Sequence, residues 1–184
     1  MKKKYKITLK GFFGHLHTVN QHRFKVFCLC CKVGIPFQGL VHDLSKYHPE
    51  EFWEGVKYFQ GDYSPIKNCK NENGYSRAWL HHKGRNKHHY EYWYDISAPQ
   101  KTPIIPLKYM LEMVCDRIAA TKTYNRGSFE YKKVLDYYYK EEPHMTLHPK
   151  LKKFLESIFK ELSKNGEKNF NKKYISKIYY DSIK

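Results

Sequence analysis

Apolar side chains recur along this chain at helical spacing, and no stretch shows the period-two alternation of a half-buried strand. Between residues 12 and 33, Leu16, Val19, Val26, Leu29, Cys30 and Val33 form one stripe, which Gly34 and Pro36 stop. Phe37, Leu40, Val41 and Leu44 follow at i, i+3, i+4 and i+7 and predict a second helix over about 37–47 with that face turned to the core. Pro49 suits the first turn of a third helix, PEEFWEGVKYF, where Glu50 and Glu51 meet the positive end of the helix dipole. The polar connection QGDYSPIKNCKNENG precedes a short helix running through about His82, and after KGRNK another helix is predicted from near His88. A Pro-containing loop, DISAPQKTPII, leads into a helix from about 106 to 122 with Leu107, Met110, Leu111, Val114 and Ile118 in register. Ser128 reads as the N-cap of the next helix, which Pro143 ends. Leu151, Phe154, Leu155, Ile158, Phe159 and Leu162 make the cleanest stripe, between Pro149 and Gly166, and a basic, Tyr-rich tail over 167–184 suits a short docking helix. With no strand and no repeat, the pattern predicts an all-α helical bundle.

Size and composition bound this picture. A chain of 184 residues suits one domain, 1–184, with its core over about 12–163. The 41% hydrophobic content, with 17 Tyr and 11 Phe, argues for a folded chain despite 28% charged residues. No run approaches the roughly 18 uncharged apolar residues of a membrane span. MKKKYKITLKGFF also lacks the apolar core and cleavage site of a signal peptide, so a cytoplasmic protein without a membrane partner is expected. Cys28, Cys30, Cys31, Cys69 and Cys115 read as reduced thiols filling small core gaps, because the CxCC cluster has neither zinc-ribbon nor redox spacing. A net charge of +16 favours an anionic partner. The lysines are spread along the chain rather than gathered in a stripe, so a solvated lysine-rich surface explains the surplus equally well, and the charge does not say which anion is bound.

Candidate chemistry lies in histidines and carboxylates. Around the axis of the second helix, His42 and Asp43 fall opposite Phe37, Leu40 and Leu44, and in isolation they read as a solvated face. The inward His22, the costly Asp116 and the histidine cluster that follows call instead for that polar face to look into a pocket lined by the first helix and the helix over 106–122. On the first helix His22, with His15 at nearly the same angle, borders the apolar stripe and points inward. Asp116 has Met113, Ala119 and Ala120 as neighbours one turn away, with Glu112 the only polar exception. A carboxylate buried there needs a cation or strong donors, and an Arg partner is the simplest remedy. WLHHKGRNKHHYEYW places four histidines in nine residues, at both ends of a turn whose Lys83, Arg85 and Lys87 suit a phosphate. No Cys pair flanks them at zinc-finger spacing.

These residues resemble the HD-domain superfamily of metal-dependent phosphohydrolases. GLVHDLSK resembles its apolar-HD-[IL]-x-K motif, NQHRFKV its first H-x-x-x-V helix, and EMVCDRIAA its closing Asp segment; together they cover roughly residues 15–122. HHKGRNKHH also resembles a motif of an uncharacterised bacterial family, which supplies no activity. The resemblance implies an HD-domain-like bundle in which His22, His42, Asp43 and Asp116 are metal ligands, with His82 and His88 as candidates for a second ion. Which of His81/His82 and His88/His89 point inward is left open. Asp43 and Lys46 are the expected catalytic pair, and Lys83, Arg85, Asn86, His81 and His89 the expected substrate-binding set.

The implied activity is hydrolysis of a nucleotide or related phosphoester by water activated on one or two divalent ions. Imidazole donors favour Mn, Fe, Co, Ni or Zn, and Mg is admitted. Two readings compete with it. A non-catalytic basic module that binds nucleic acid is motivated by the charge and the 17% aromatic content. A di-iron oxidative enzyme on the same scaffold is motivated by the extra histidines. A homodimer through the aromatic C-terminal helices is compatible with each.

Overall fold

Thr8 opens the first helix: its hydroxyl accepts from Gly11 N at 2.9 Å, and α1 (Leu9–Lys32) then runs for 24 residues. The structure, a computed structural model, describes residues 5–61, 63–125 and 127–184. Residues 1–4 of MKKKYKITLKGFF and Asp62 of the 60–74 connection therefore lie outside the described residues.

Three long helices carry most of the core. Val26, Leu29 and Cys30 of α1 meet Met110, Val114 and Ile118 of α6 (Leu107–Tyr124), and the two helices pack along one another. On the far side of α6, α7 (Tyr131–Glu141) pairs with α8 (Pro149–Asn165), whose stripe of Leu151, Phe154, Leu155, Ile158, Phe159 and Leu162 is buried throughout. Burying an aliphatic or aromatic side chain of this size contributes about 1.5–3 kcal/mol, so this face outweighs the unremarkable intrinsic propensity of the Lys-rich helix. The tail docks through α9 (Lys172–Ile183): Ile175 and Tyr179 are buried, and the Tyr179 hydroxyl donates to Ile105 O at 2.8 Å.

A second group of shorter helices is joined to α1 through two of its members. They are α2 (Pro36–Val41), α3 (Pro49–Tyr58), α4 (Pro65–Asn73) and α5 (Arg77–Lys83); α2 and α3 touch α1, and α3 also touches α4 and α5. Among the described residues there is no strand, and no helix is long and apolar enough to cross a membrane.

Several expectations are corrected. The 60–74 connection is not irregular: it contains α4, which Gly74 ends in the left-handed conformation. Near His88 there is no α-helix, only a 3₁₀ turn over Tyr90–Trp93. Ser128 does not cap α7; Glu130 stands at that position without a side-chain cap bond, and Ser128 instead accepts from the Lys133 ammonium. Of the five free cysteines, Cys30, Cys69 and Cys115 are buried, whereas Cys28 and Cys31 are exposed.

The largest correction concerns α2. It ends at Val41 instead of continuing to residue 47, and the apolar stripe looks outward, with Phe37 73% and Leu40 59% exposed on the helix and Leu44 51% exposed beyond it. Gly39 is the reason. A Cβ at this position would lie 2.6 Å from Cys30 Cβ and 3.0 Å from Phe27 Cα, so α2 presses its backbone onto α1 through the one residue that lacks a side chain.

Glu167, in the turn between α8 and α9, ties the tail to the bundle. It accepts from Lys122 Nζ at 2.7 Å and also bonds Lys32 and the Tyr131 hydroxyl. Burial opposes its charge, but the bonds from Lys122, Lys32 and Tyr131 hold the carboxyl down at about 2, against an ordinary 4.5. A depressed carboxyl pKa contributes stability that is present above the ordinary value and is lost as pH falls toward the depressed one. We therefore expect the urea midpoint to decline between pH 4.5 and about 2, with a shallower decline in Glu167→Gln.

Candidate metal centre

The HD dipeptide sits at a break in the chain rather than on a helix. His42, at φ −51° and ψ 129°, leaves the helical region, and Asp43, at φ 54° and ψ 27°, is left-handed before the 3₁₀ turn Leu44–Tyr47 begins. Asp43 is the only non-glycine with positive φ among the described residues, and Asp and Asn are the side chains that tolerate this conformation best. The reversal swings both side chains inward, leaving His42 1% and Asp43 2% exposed. Arg23 of α1 clamps the turn from outside: Nε donates to His42 O and Nη2 to Leu40 O, each at 2.8 Å, and Nη1 donates to Tyr47 Oη at 3.0 Å.

The two oxygens of Asp43 face different groups. Oδ2 lies 3.3 Å from His42 Nε2 and 3.7 Å from His22 Nε2. His22 Nε2 is in turn 3.1 Å from Asp116 Oδ1, and His42 Nε2 is 3.7 Å from the same atom. Oδ1 lies 3.3 Å from His82 Nε2 and 3.5 Å from His88 Nε2, with His89 completing that group. Within each group one donor atom per residue falls within 4.8 Å of all the others, so Asp43 stands between two clusters each able to hold a metal ion.

Two further carboxylates set the tautomers. Glu112 Oε1 accepts from His42 Nδ1 and from His88 Nδ1, both at 3.0 Å, and Glu51 Oε2 accepts from His82 Nδ1 at 2.8 Å. An ionised carboxylate only accepts, so each Nδ1 carries the proton and each Nε2 turns a lone pair toward Asp43. Acceptors then face acceptors. Asp43 Oδ1, His88 Nε2 and His89 Nε2 are buried without a hydrogen-bond partner, an arrangement that positive charge between them would satisfy.

A proton is one source of that charge. Burial pulls the His42 imidazole down, but the Asp43 and Glu112 carboxylates beside it push it up to about 10. Burial likewise opposes the Asp43 charge, yet His42, Lys46 and His82 hold its carboxyl well below the usual range; Asp116, beside His22, is also held low. Glu112 is held at about 2, against its burial, by His42 and His88. Burial and the neighbouring His88 and His82 keep His89 well below the ordinary imidazole value, as a neutral donor. A metal ion is the other source, and it competes with the proton for the same lone pairs. The donor set therefore fits a metal.

The structure brings together His22 from α1, His42 and Asp43 from the turn after α2, Asp116 from α6, His82 from α5 and His88 from the turn beyond it. His89, expected at the substrate, stands among the donors instead. His81 turns away, its Nδ1 donating to Glu51 Oε1 at 2.6 Å. Asn86 braces the KGRNK turn from behind His82: its amide donates to Ser45 Oγ at 2.9 Å and His82 O at 2.8 Å, and its Nδ2 lies 3.1 Å from His82 Nδ1. Lys83 is half-buried and Arg85 is exposed at that turn, while Lys46 Nζ is 3.4 Å from Asp43 Oδ2. The partner of Asp116 is His22 and not an arginine.

Sequence reasoning missed Glu112 and Glu51 as site residues. Glu112 was visible as the single polar neighbour on the face of Asp116, one turn earlier. Glu51 was masked by its place in the first turn of α3, where an acidic residue already has an explanation.

A family model described as a family of unknown function (DUF5662) matches residues 11–161, a span that takes in both clusters. No curated protein and no solved structure matches the chain.

Proposed function

The chain belongs to the DUF5662 family, and from that premise and the geometry of its buried donors we propose that it is a metal-dependent phosphohydrolase of HD type, acting on a nucleotide or related phosphoester at a two-ion centre. One observation carries this reading: Asp43 divides its two oxygens between two sets of imidazole nitrogens. A carboxylate so placed suits the bridge between paired cations.

Bound divalent ions would supply an activated water and a Lewis acid for a phosphoryl oxygen. The chain's own residues do the rest. Glu112 and Glu51 keep His42, His88 and His82 in the tautomer that presents Nε2. Lys46, 3.4 Å from Asp43, offsets the charge that develops on the phosphoryl group. The Asp116 side chain, 18% exposed, marks the edge from which substrate approaches. The net charge of +16 gathers anions at long range. With imidazoles in the majority, Mn, Fe, Co, Ni or Zn fits better than Mg.

Protein stripped of metal and reloaded with each of these ions is expected to release phosphate from at least one member of a nucleotide and phosphoester panel. The His42→Ala/Asp43→Ala double variant is expected to release none. Equal release by the two proteins would end this reading. The imidazole-rich donor set suits iron as well, so oxygen consumption on reloading with Fe²⁺, without phosphate release on any metal, would shift the assignment to di-iron oxidative chemistry.

A further inference from the structure

Three of the four histidines in WLHHKGRNKHHYEYW turn toward Asp43, and His81 is left over. We propose that His81, His48 and Glu50 form a separate ion site at the protein surface, for a late first-row divalent cation such as Zn²⁺, Ni²⁺ or Cu²⁺.

Glu51 Oε1 holds His81 Nδ1 at 2.6 Å, which fixes the proton there and leaves the lone pair on Nε2. That side chain is only 5% exposed, and its Nε2 has no hydrogen-bond partner. The His48 ring stacks on it, with centroids 4.3 Å apart and planes inclined by 21°, and this exposed ring tilts out of the stack for its lone pair to meet an ion held by His81. One donor atom from each of His48, Glu50 and His81 lies within 4.8 Å of the other two. Two imidazoles with one carboxylate suit zinc, nickel or copper, whereas Mg²⁺ and Ca²⁺ prefer oxygen donors.

His48 also caps α3, its Nδ1 accepting from Glu50 N at 3.3 Å. A neutral imidazole has one lone pair, so ion binding takes the place of this long bond, while Pro49 at the first helical position keeps the helix start without it. His48 and Glu50 are exposed, and the ion enters without any opening of the fold. Glu51 also holds His82, so the outer ion is one carboxylate removed from the inner donors.

The site does not depend on the two-ion reading, and one experiment separates them. Parent protein, His48→Ser, Glu50→Gln and a His22→Ala/Asp116→Ala variant are dialysed against Zn²⁺, and bound zinc per chain is measured by elemental analysis. Serine keeps a capping hydroxyl, so His48→Ser retains the helix start, and circular dichroism checks the fold of each variant. Parent is expected to hold one zinc per chain more than His48→Ser and more than Glu50→Gln. Equal zinc in parent and both outer variants overturns the outer site. Loss of no zinc from the His22→Ala/Asp116→Ala variant counts against the inner centre and leaves the outer site standing.

Discussion

Asp43→Asn is expected to strip metal from both inner clusters at once while leaving the chain folded. The substitution is close to neutral for the backbone, because Asn adopts the left-handed conformation that Asp43 occupies at φ 54° about as readily as Asp. What it removes is the charge shared between the oxygen facing His22 and His42 and the oxygen facing His82 and His88. Loss of an orienting partner around a metal ligand typically weakens binding by about 10–100-fold. Loss of a shared ligand should exceed the upper end of that range at both clusters. Chelator competition followed by elemental analysis reads the effect directly, and parental metal content in Asp43→Asn would show that the carboxylate is not the bridge. Asp43→Ala makes a useful contrast: it should lose the metal and also melt earlier, since a left-handed alanine costs about 1–2 kcal/mol.

Glu112→Gln should weaken both clusters together, although Glu112 belongs to the donor set of neither Asp43-containing group. Its Oε1 accepts from His42, which faces the first cluster, and from His88, which faces the second, while Oε2 accepts from Gln38 Nε2 at 3.0 Å. A neutral amide accepts these bonds more weakly than a carboxylate and places a donor where Gln38 already donates. Both imidazoles then lose basicity and orientation. Metal affinity is expected to fall by about 10–100-fold at each cluster. Glu51→Gln is the control, since Glu51 holds His82 and His81 but no residue of the His22 cluster. Titration with Co²⁺, followed by visible absorption, distinguishes two weakened sites from one. Unchanged Co²⁺ binding in Glu112→Gln would reduce that residue to an ordinary buried acid.

Much of this was legible beforehand. The α8 stripe was read without error because its six apolar residues repeat at 3.6 and all of them face the core. The same rule failed for Phe37, Leu40 and Leu44, where an equally regular stripe faces outward. Periodicity reports that a helix has two faces, and which face is buried depends on what packs there. Here Gly39, with no side chain to register in an apolar count, makes the contact with α1.

Local sequence by itself determined the helical class, the order of the long helices and the residue types able to bind a cation, because these follow from side-chain chemistry and from spacing along one chain. Tertiary structure alone decided how His42 and Asp43 come to look inward, through a left-handed turn clamped by Arg23 from another helix rather than on a helix face. It also decided that His89 joins the donors while His81 leaves them, and that Glu112 and Glu51 hold the imidazoles. The hydrogen bonds that fix these positions join residues 17 to 70 positions apart. Their partners are chosen by packing in three dimensions, and no one-dimensional pattern encodes them.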